Sequence, residues 1–208
     1  TCRGNWADFA IGPIKTKSAI VVTLITPTIG KTFELTAQSN AFFNSPKAIV
    51  TPGNSSPETD GAAALLIARG DYSREHGYSP MAEIISWASA GVDPNIMGYG
   101  PVPSTNIALK RAGLTLDQIG LIEINEAFAI QVLTDLKALG LALDDPRVNV
   151  NGGAVALGHP LGASGARLLT TLSHELQRRS DVQYGLATMC VGFGQGATVI
   201  LKNPNYQN

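Results

Sequence analysis

Residues Gly162 to Ala166 read Gly-Ala-Ser-Gly-Ala and open a helix-forming segment that runs on to Arg179. Its first two turns hold only small side chains plus Arg167. So smooth a helix admits a neighbouring backbone at close range, and is expected to lie between layers, not on the surface. Two short apolar runs follow, Tyr184–Met189 and Ala197–Leu201, separated by the glycine-rich stretch Val191–Gly196. A connection that tight makes the pair antiparallel.

Upstream, strand and helix patterns alternate. Gly61–Ala68 is a continuous small-apolar run that reads as a buried strand, with a helix as the open alternative. A short helix is expected over Asp71–Gly77, then a strand over Met81–Ala90 that Gly91 and Pro94 end. Pro103–Ala112 reads as a helix stopped by Gly113, and Gln118–Ile124 as a third strand. Ala127–Leu139 places Phe128, Val132, Leu136 and Leu139 at helical spacing. This alternation predicts an α/β fold with helices on both faces of a sheet. Residues 1–50 differ: a β-branched stretch from Ala19 to Thr26, then a polar one from Thr36 to Ser45. They read as irregular or β-containing structure, not as an independent domain.

Composition narrows the function classes. Charged residues are 15% of the 208, low for a solvated domain and in keeping with a surface partly covered by something else. The 15 basic and 16 acidic residues form no basic run, which argues against nucleic acid. No apolar stretch approaches the roughly 20 residues of a membrane span. Cys2 and Cys190 are the two cysteines; they imply no disulfide framework and a reducing, cytoplasmic setting. Thr1 begins the chain without Met or a signal pattern, so a processed product or a fragment is expected.

Four clusters carry possible chemistry: Asn54-Ser55-Ser56, Asn125-Glu126-Ala127-Phe128, Asn151-Gly152-Gly153-Ala154 with Gly158-His159-Pro160, and Cys190-Val191-Gly192. Each has a plain structural alternative. Asn-Ser-Ser suits a turn, Asn125 a helix N-cap, His159 a loop, and Cys190 a small buried hydrophobe. Taken together, they cluster at the C-terminal edges of strands and in the glycine-rich segment before a helix, where open α/β sheets bind ligands. Gly192 and Gly194 leave backbone amides unshielded beside Cys190, as an oxyanion site requires. A Cys, a His and an amide supply the parts for thioester chemistry through an enolate.

The runs Asn125-Glu126-Ala127-Phe128, Gly158-His159-Pro160-Leu161-Gly162-Ala163-Ser164-Gly165 and Cys190-Val191-Gly192-Phe193-Gly194-Gln195-Gly196 resemble the C-terminal signature blocks of thiolases. The resemblance is dense from about Thr51 to Leu201. It implies a thiolase-like C-terminal half with a mixed five-stranded sheet, βαβαβαββ, over 51–208, and the remains of a loop domain or linker over 1–50. The implied activity is acyl-CoA acyltransfer: Claisen condensation, or thiolytic cleavage of a 3-ketoacyl-CoA, as in acetyl-CoA acetyltransferase. Coenzyme A and acyl-CoA enter as substrates, with no tightly bound cofactor.

The resemblance also implies roles. His159 activates a nucleophilic cysteine and hydrogen-bonds a thioester oxygen. Asn125 holds a water that binds the enolate oxygen. Cys190 moves the proton at the substrate α-carbon, and the Gly192 amide completes a second oxyanion hole. Ser56 lies beside the pantetheine arm, while Ala127 and Phe128 line the acyl pocket. The family's N-terminal half, which carries the acylated cysteine, has no counterpart in this sequence; Thr1-Cys2-Arg3-Gly4 does not resemble its motif. The expected partner is therefore that missing half, or further copies of the chain. Glu58 departs from the family pattern near Ser56. Three other readings stand beside this one. One is an inactive remnant that binds coenzyme A or serves assembly. Another is a β-ketoacyl synthase relative, against which stands Asn or Cys where a second His is needed. The last is a metal site at His159, His174 and Cys190, against which stands their spacing.

Overall fold

Strand β4 (Ile119–Ile124) is buried at every position but Gly120, because helices cover it on both sides. That is why it reads as a continuous apolar run without alternation. The computed structural model describes residues 19–24, 50 and 52–207, and of residues 19–24 the backbone alone. With β1 (Ala19–Leu24), β2 (Ala64–Arg69), β3 (Ala82–Gly91), β5 (Tyr184–Val191) and β6 (Gln195–Lys202), strand β4 forms a mixed sheet in the order β2-β1-β3-β6-β5-β4. Only β4 and β5 pair in parallel; the other neighbours are antiparallel.

The α/β class holds, and the five strands expected over 51–208 are present as β2 to β6; a sixth, β1, joins their sheet from outside that range. The β-branched run at Ala19–Leu24 lies between β2 and β3, pairing Val21 with Ile67 on one side and with Ala82 on the other. Partners some 45 and 60 residues away leave no local mark on the sequence. The open alternative for Gly61–Ala68 closes as a strand, starting at Ala64, but not as a buried one: β2 is an edge strand with no residue buried, so its apolar run is not explained by burial among the described residues. Cys2 and the polar stretch Thr36–Ser45 lie outside the described residues.

Among the described residues there are five α-helices: α1 (Gly70–Glu75), α2 (Pro101–Ala112), α3 (Ala129–Ala138), α4 (Ala154–Leu157) and α5 (Ser164–Arg178). On one face, Leu168, Leu172 and Leu176 of α5 pack on Leu121, Ala187 and Leu201. On the other, Ala108 and Leu109 of α2 and Val132 and Leu136 of α3 cover Ile122, Ile124, Leu186 and Ile200. Asn203, just past β6, ties the C-terminal end of α5 to the sheet. Its buried amide donates to the carbonyls of Leu176, Arg179 and Val182 at 2.8, 3.0 and 3.0 Å, satisfying groups the helix end leaves open. No described helix is long and apolar enough to cross a membrane.

Candidate active site

The site forms where β4 and β5 end together. The Asn125 backbone N–H donates to the Thr188 carbonyl at 2.9 Å, extending the parallel pairing one residue beyond β4. Its side chain does not cap a helix. Phe128 precedes α3 in extended conformation with no side-chain cap. Asn125 is instead wholly buried, and its Nδ2 lies 3.3 Å from His159 Nε2. Its Oδ1 is buried and finds no hydrogen-bond partner in the protein.

His159 is fixed from three sides. Gly158 adopts φ 99°, and a Cβ there would overlap the Thr59 side chain, so this step of the loop requires glycine. The His159 backbone N–H donates to the Pro57 carbonyl at 2.9 Å. On the ring, Nδ1 lies 2.6 Å from Ser164 Oγ, at the first residue of α5. Ser164 Oγ also donates its single proton to the Pro160 carbonyl at 3.1 Å, so the Nδ1 contact is an N–H of the imidazole donating to Ser164. That assignment leaves the Nε2 lone pair facing the Asn125 amide, in agreement with Nδ2 as donor. Burial, and then the nearby Arg167 cation, hold the His159 ring below its ordinary pKa. The resting imidazole is neutral.

The segment before β2 joins the same loops. Ser56 donates both its backbone N–H and its Oγ to the Ala127 carbonyl, at 3.0 and 3.1 Å. Ser55 forms an isolated antiparallel bridge with Phe128. Ser56, Ala127 and Phe128 thus meet as one patch, while Glu58 points to solvent. Cys190 lies at the end of the adjoining strand β5, two residues past the Thr188 carbonyl that pairs with Asn125, and is 7% exposed. Burial, reinforced by the Asp135 charge, pushes its thiol up to about 11, so it rests protonated. Two residues on, the space over Gly192 is open: a Cβ there would meet nothing within 4 Å. Phe193, at φ 66° and 91% exposed, forms the tip of the turn.

Two positions given no role by the sequence hold these loops. Glu126 accepts from Asn149 Nδ2 at 2.8 Å and from the Val155 backbone N–H at 3.0 Å. Asn149, at φ 47°, also exchanges hydrogen bonds with both backbone groups of Ile124. The available signal was Asn149 and Asn151 just before the Gly152-Gly153 pair, which marks a loop but not its partner. Ser164 was quoted within a motif; only its approach to Nδ1 shows what it does. Among the described residues no group of three His, Cys, Asp or Glu is placed to hold a metal ion.

The parallel β4–β5 edge thus presents an Asn–His pair, with a buried cysteine and a glycine turn at the end of β5. The chain belongs to the thiolase family: the model of the thiolase C-terminal domain matches residues 78–203. The 3-ketoacyl-CoA thiolase of Photorhabdus laumondii subsp. laumondii is 58% identical over 155 residues, which is 74% of this chain and 39% of that protein. The crystal structure of human mitochondrial 3-ketoacyl-CoA thiolase superposes with a TM-score of 0.76 at 45% identity, covering 80% of this chain and 41% of that one. A second crystal structure of the human protein, in complex with CoA, gives a TM-score of 0.72 at 44% identity, with 80% and 41% covered. The chain spans about two fifths of the length of the relatives it matches.

Proposed function

We propose that residues 51–208 form the proton- and enolate-handling half of a thiolase-type acyl-CoA acyltransferase, and that an N-terminal half supplies the nucleophilic cysteine. The carrying observation is the Asn125–His159 contact, with Ser164 fixing the imidazole so that Nε2 is the free base. Nε2 takes the proton of the partner's cysteine, whose thiolate attacks the ketone carbon of a 3-ketoacyl-CoA. The bond between the α- and β-carbons breaks and its electron pair becomes the enolate of acetyl-CoA. Cys190, resting as a thiol, gives its proton to that enolate carbon. The unpartnered Oδ1 of Asn125 accepts from a water whose other proton meets the enolate oxygen, and the Gly192 amide faces the opposite thioester oxygen. Ser56, Ala127 and Phe128 bind the pantetheine arm and acyl group of coenzyme A. Both resting proton states, neutral His159 and protonated Cys190, suit the cleavage direction as written.

Complementation tests the reading. The acyl group then passes from the partner's cysteine to the thiol of CoA, so the chain, coexpressed with the N-terminal half of a 3-ketoacyl-CoA thiolase, should turn over 3-ketoacyl-CoA repeatedly only when CoA is added. His159→Asn should remove that turnover, and Cys190→Ser should remove α-proton exchange yet leave the partner's cysteine acylated. A folded two-piece complex without turnover, or normal exchange in the Cys190→Ser variant, sinks it.

A further inference from the structure

Arg167 lies three residues beyond Ser164, on the same face of α5. Its Nε and both terminal nitrogens are shut off from solvent, and none has a hydrogen-bond partner in the protein. A guanidinium carries five N–H donors and keeps its charge. Enclosed and unbonded, it needs compensation from the charges around it. Those charges come from β4 and the loop after it. Glu123 sits two residues from Leu121, which packs on α5, so both project to the same side of the sheet. It is 2% exposed with its Oε2 unpartnered. Glu126 is held by Asn149 and Val155. Both carboxyls act on the guanidinium, opposing the effect of its burial. Glu175, farther along α5, acts on Glu123 but is itself engaged by Asn151 and Arg178. The His159 ring is tied to the same turn of α5 through Ser164, and among the described residues Arg167 is the one charge that acts on it.

We infer that Arg167 is a positioning residue of the proposed reaction: a buried cation, held by Glu123 and Glu126, that keeps His159 unprotonated so that its Nε2 stays available as a base. Ser164 chooses which ring nitrogen carries the proton, and Arg167 disfavours a second one. One turn of α5 thereby sets both the tautomer and the charge of the imidazole. The run Gly-Ala-Ser-Gly-Ala-Arg, whose small residues suit close packing, gains a second reason for Ser164 and a first one for Arg167. The inference rests on the reading of His159 as a base, yet its test does not need turnover.

The protein has three histidines, His76, His159 and His174, so the His159 ring resonance is assigned by its loss in a His159→Asn variant. Its titration midpoint is then followed by NMR in the 208-residue chain. Arg167→Met and Arg167→Gln should each raise the midpoint by about one pH unit, a tenfold change in the protonated-to-neutral ratio. Arg167→Lys keeps the charge and should leave the midpoint near that of the parent. An unchanged or lowered midpoint in the neutral variants overturns the inference, as does a rise of equal size in Arg167→Lys. Unfolding of both neutral variants also overturns it, in favour of a purely structural arginine. In the complemented two-piece enzyme the acid limb of the pH–rate profile should move upward with Arg167→Met. A two-piece complex without turnover would count against the acyltransferase reading alone, because the NMR midpoints still decide the role of Arg167.

Discussion

Gly153 lies directly beneath Glu126: the place a Cβ would take is filled by the Glu126 carboxylate. The backbone of Gly153, at φ −137° and ψ −172°, suits any residue, so the need for glycine here is one of space. Ordinarily the far end of a glutamate would swing aside. Here both oxygens are committed, to Asn149 and to Val155.

Gly153→Ala should therefore cost about 1–3 kcal/mol of stability, the usual range for overpacking a tight site. Urea denaturation measures it. In a Glu126→Ala background the same substitution should cost little, since the obstructing carboxylate is gone. Equal costs in both backgrounds would show that something other than Glu126 fills the space.

The sequence disclosed different parts of this molecule to different degrees, and the reasons are physical. Helix α5 and the β5–β6 hairpin were legible because their signals are local: small residues in one turn, glycines between two apolar runs. β4 was legible by its isoleucines and leucine, despite Glu123 among them. β1 was visible only as a β-branched stretch, since its place between β2 and β3 is fixed by pairings about 40 or more residues distant. The site divides in the same way. His159, Asn125 and Cys190 were named from motifs, but Asn125 kept a second reading as a helix cap. The structure removes that reading: α3 begins four residues later, and the amide turns to His159. The bracing by Glu126 and Asn149, and the enclosure of Arg167, join residues 23 or more apart and leave no pattern in the sequence. Glu126 even stands inside one of the signature runs and Arg167 two residues past another, yet spacing says nothing of what a carboxylate or a guanidinium will face.

A second prediction concerns Asp135 on α3. Its side chain is wholly buried, receives the Gln131 amide, and leaves Oδ1 without a partner. Burial raises the carboxyl from 3.8 to about 7, against the opposing effect of Gln131. A folded pKa above the unfolded one means that the native state holds the proton more tightly. Stability is then greatest below the unfolded value and falls as pH rises from about 4 to about 7. Asp135→Asn should flatten this dependence, stabilising the chain at pH 8 relative to pH 5 by on the order of 2 kcal/mol. Urea midpoints at the two pH values decide it. A variant that retains the parent's full slope would show that Asp135 is ionised throughout.

Cys190 offers a chemical test of the same environment. A thiol pushed up to about 11 holds far less thiolate at pH 8 than an ordinary cysteine near 8.5, by on the order of a hundredfold. Alkylation needs thiolate, so in a Cys2→Ser background iodoacetamide should label the folded chain at least about a hundredfold more slowly than the chain in urea. Burial of the sulfur slows the reaction further, and the two causes separate by pH. If low thiolate content limits the folded chain, its labelling rate should climb about tenfold for each pH unit from 8 to 10, where an ordinary thiol has levelled off. A folded-state rate that plateaus near pH 9 would place the thiol in the ordinary range and leave steric enclosure as the sole protection. The distinction matters for the proposed chemistry: a thiol that stays protonated in the resting site is a proton donor in waiting, whereas a thiolate would compete with the partner's nucleophile for the acyl group.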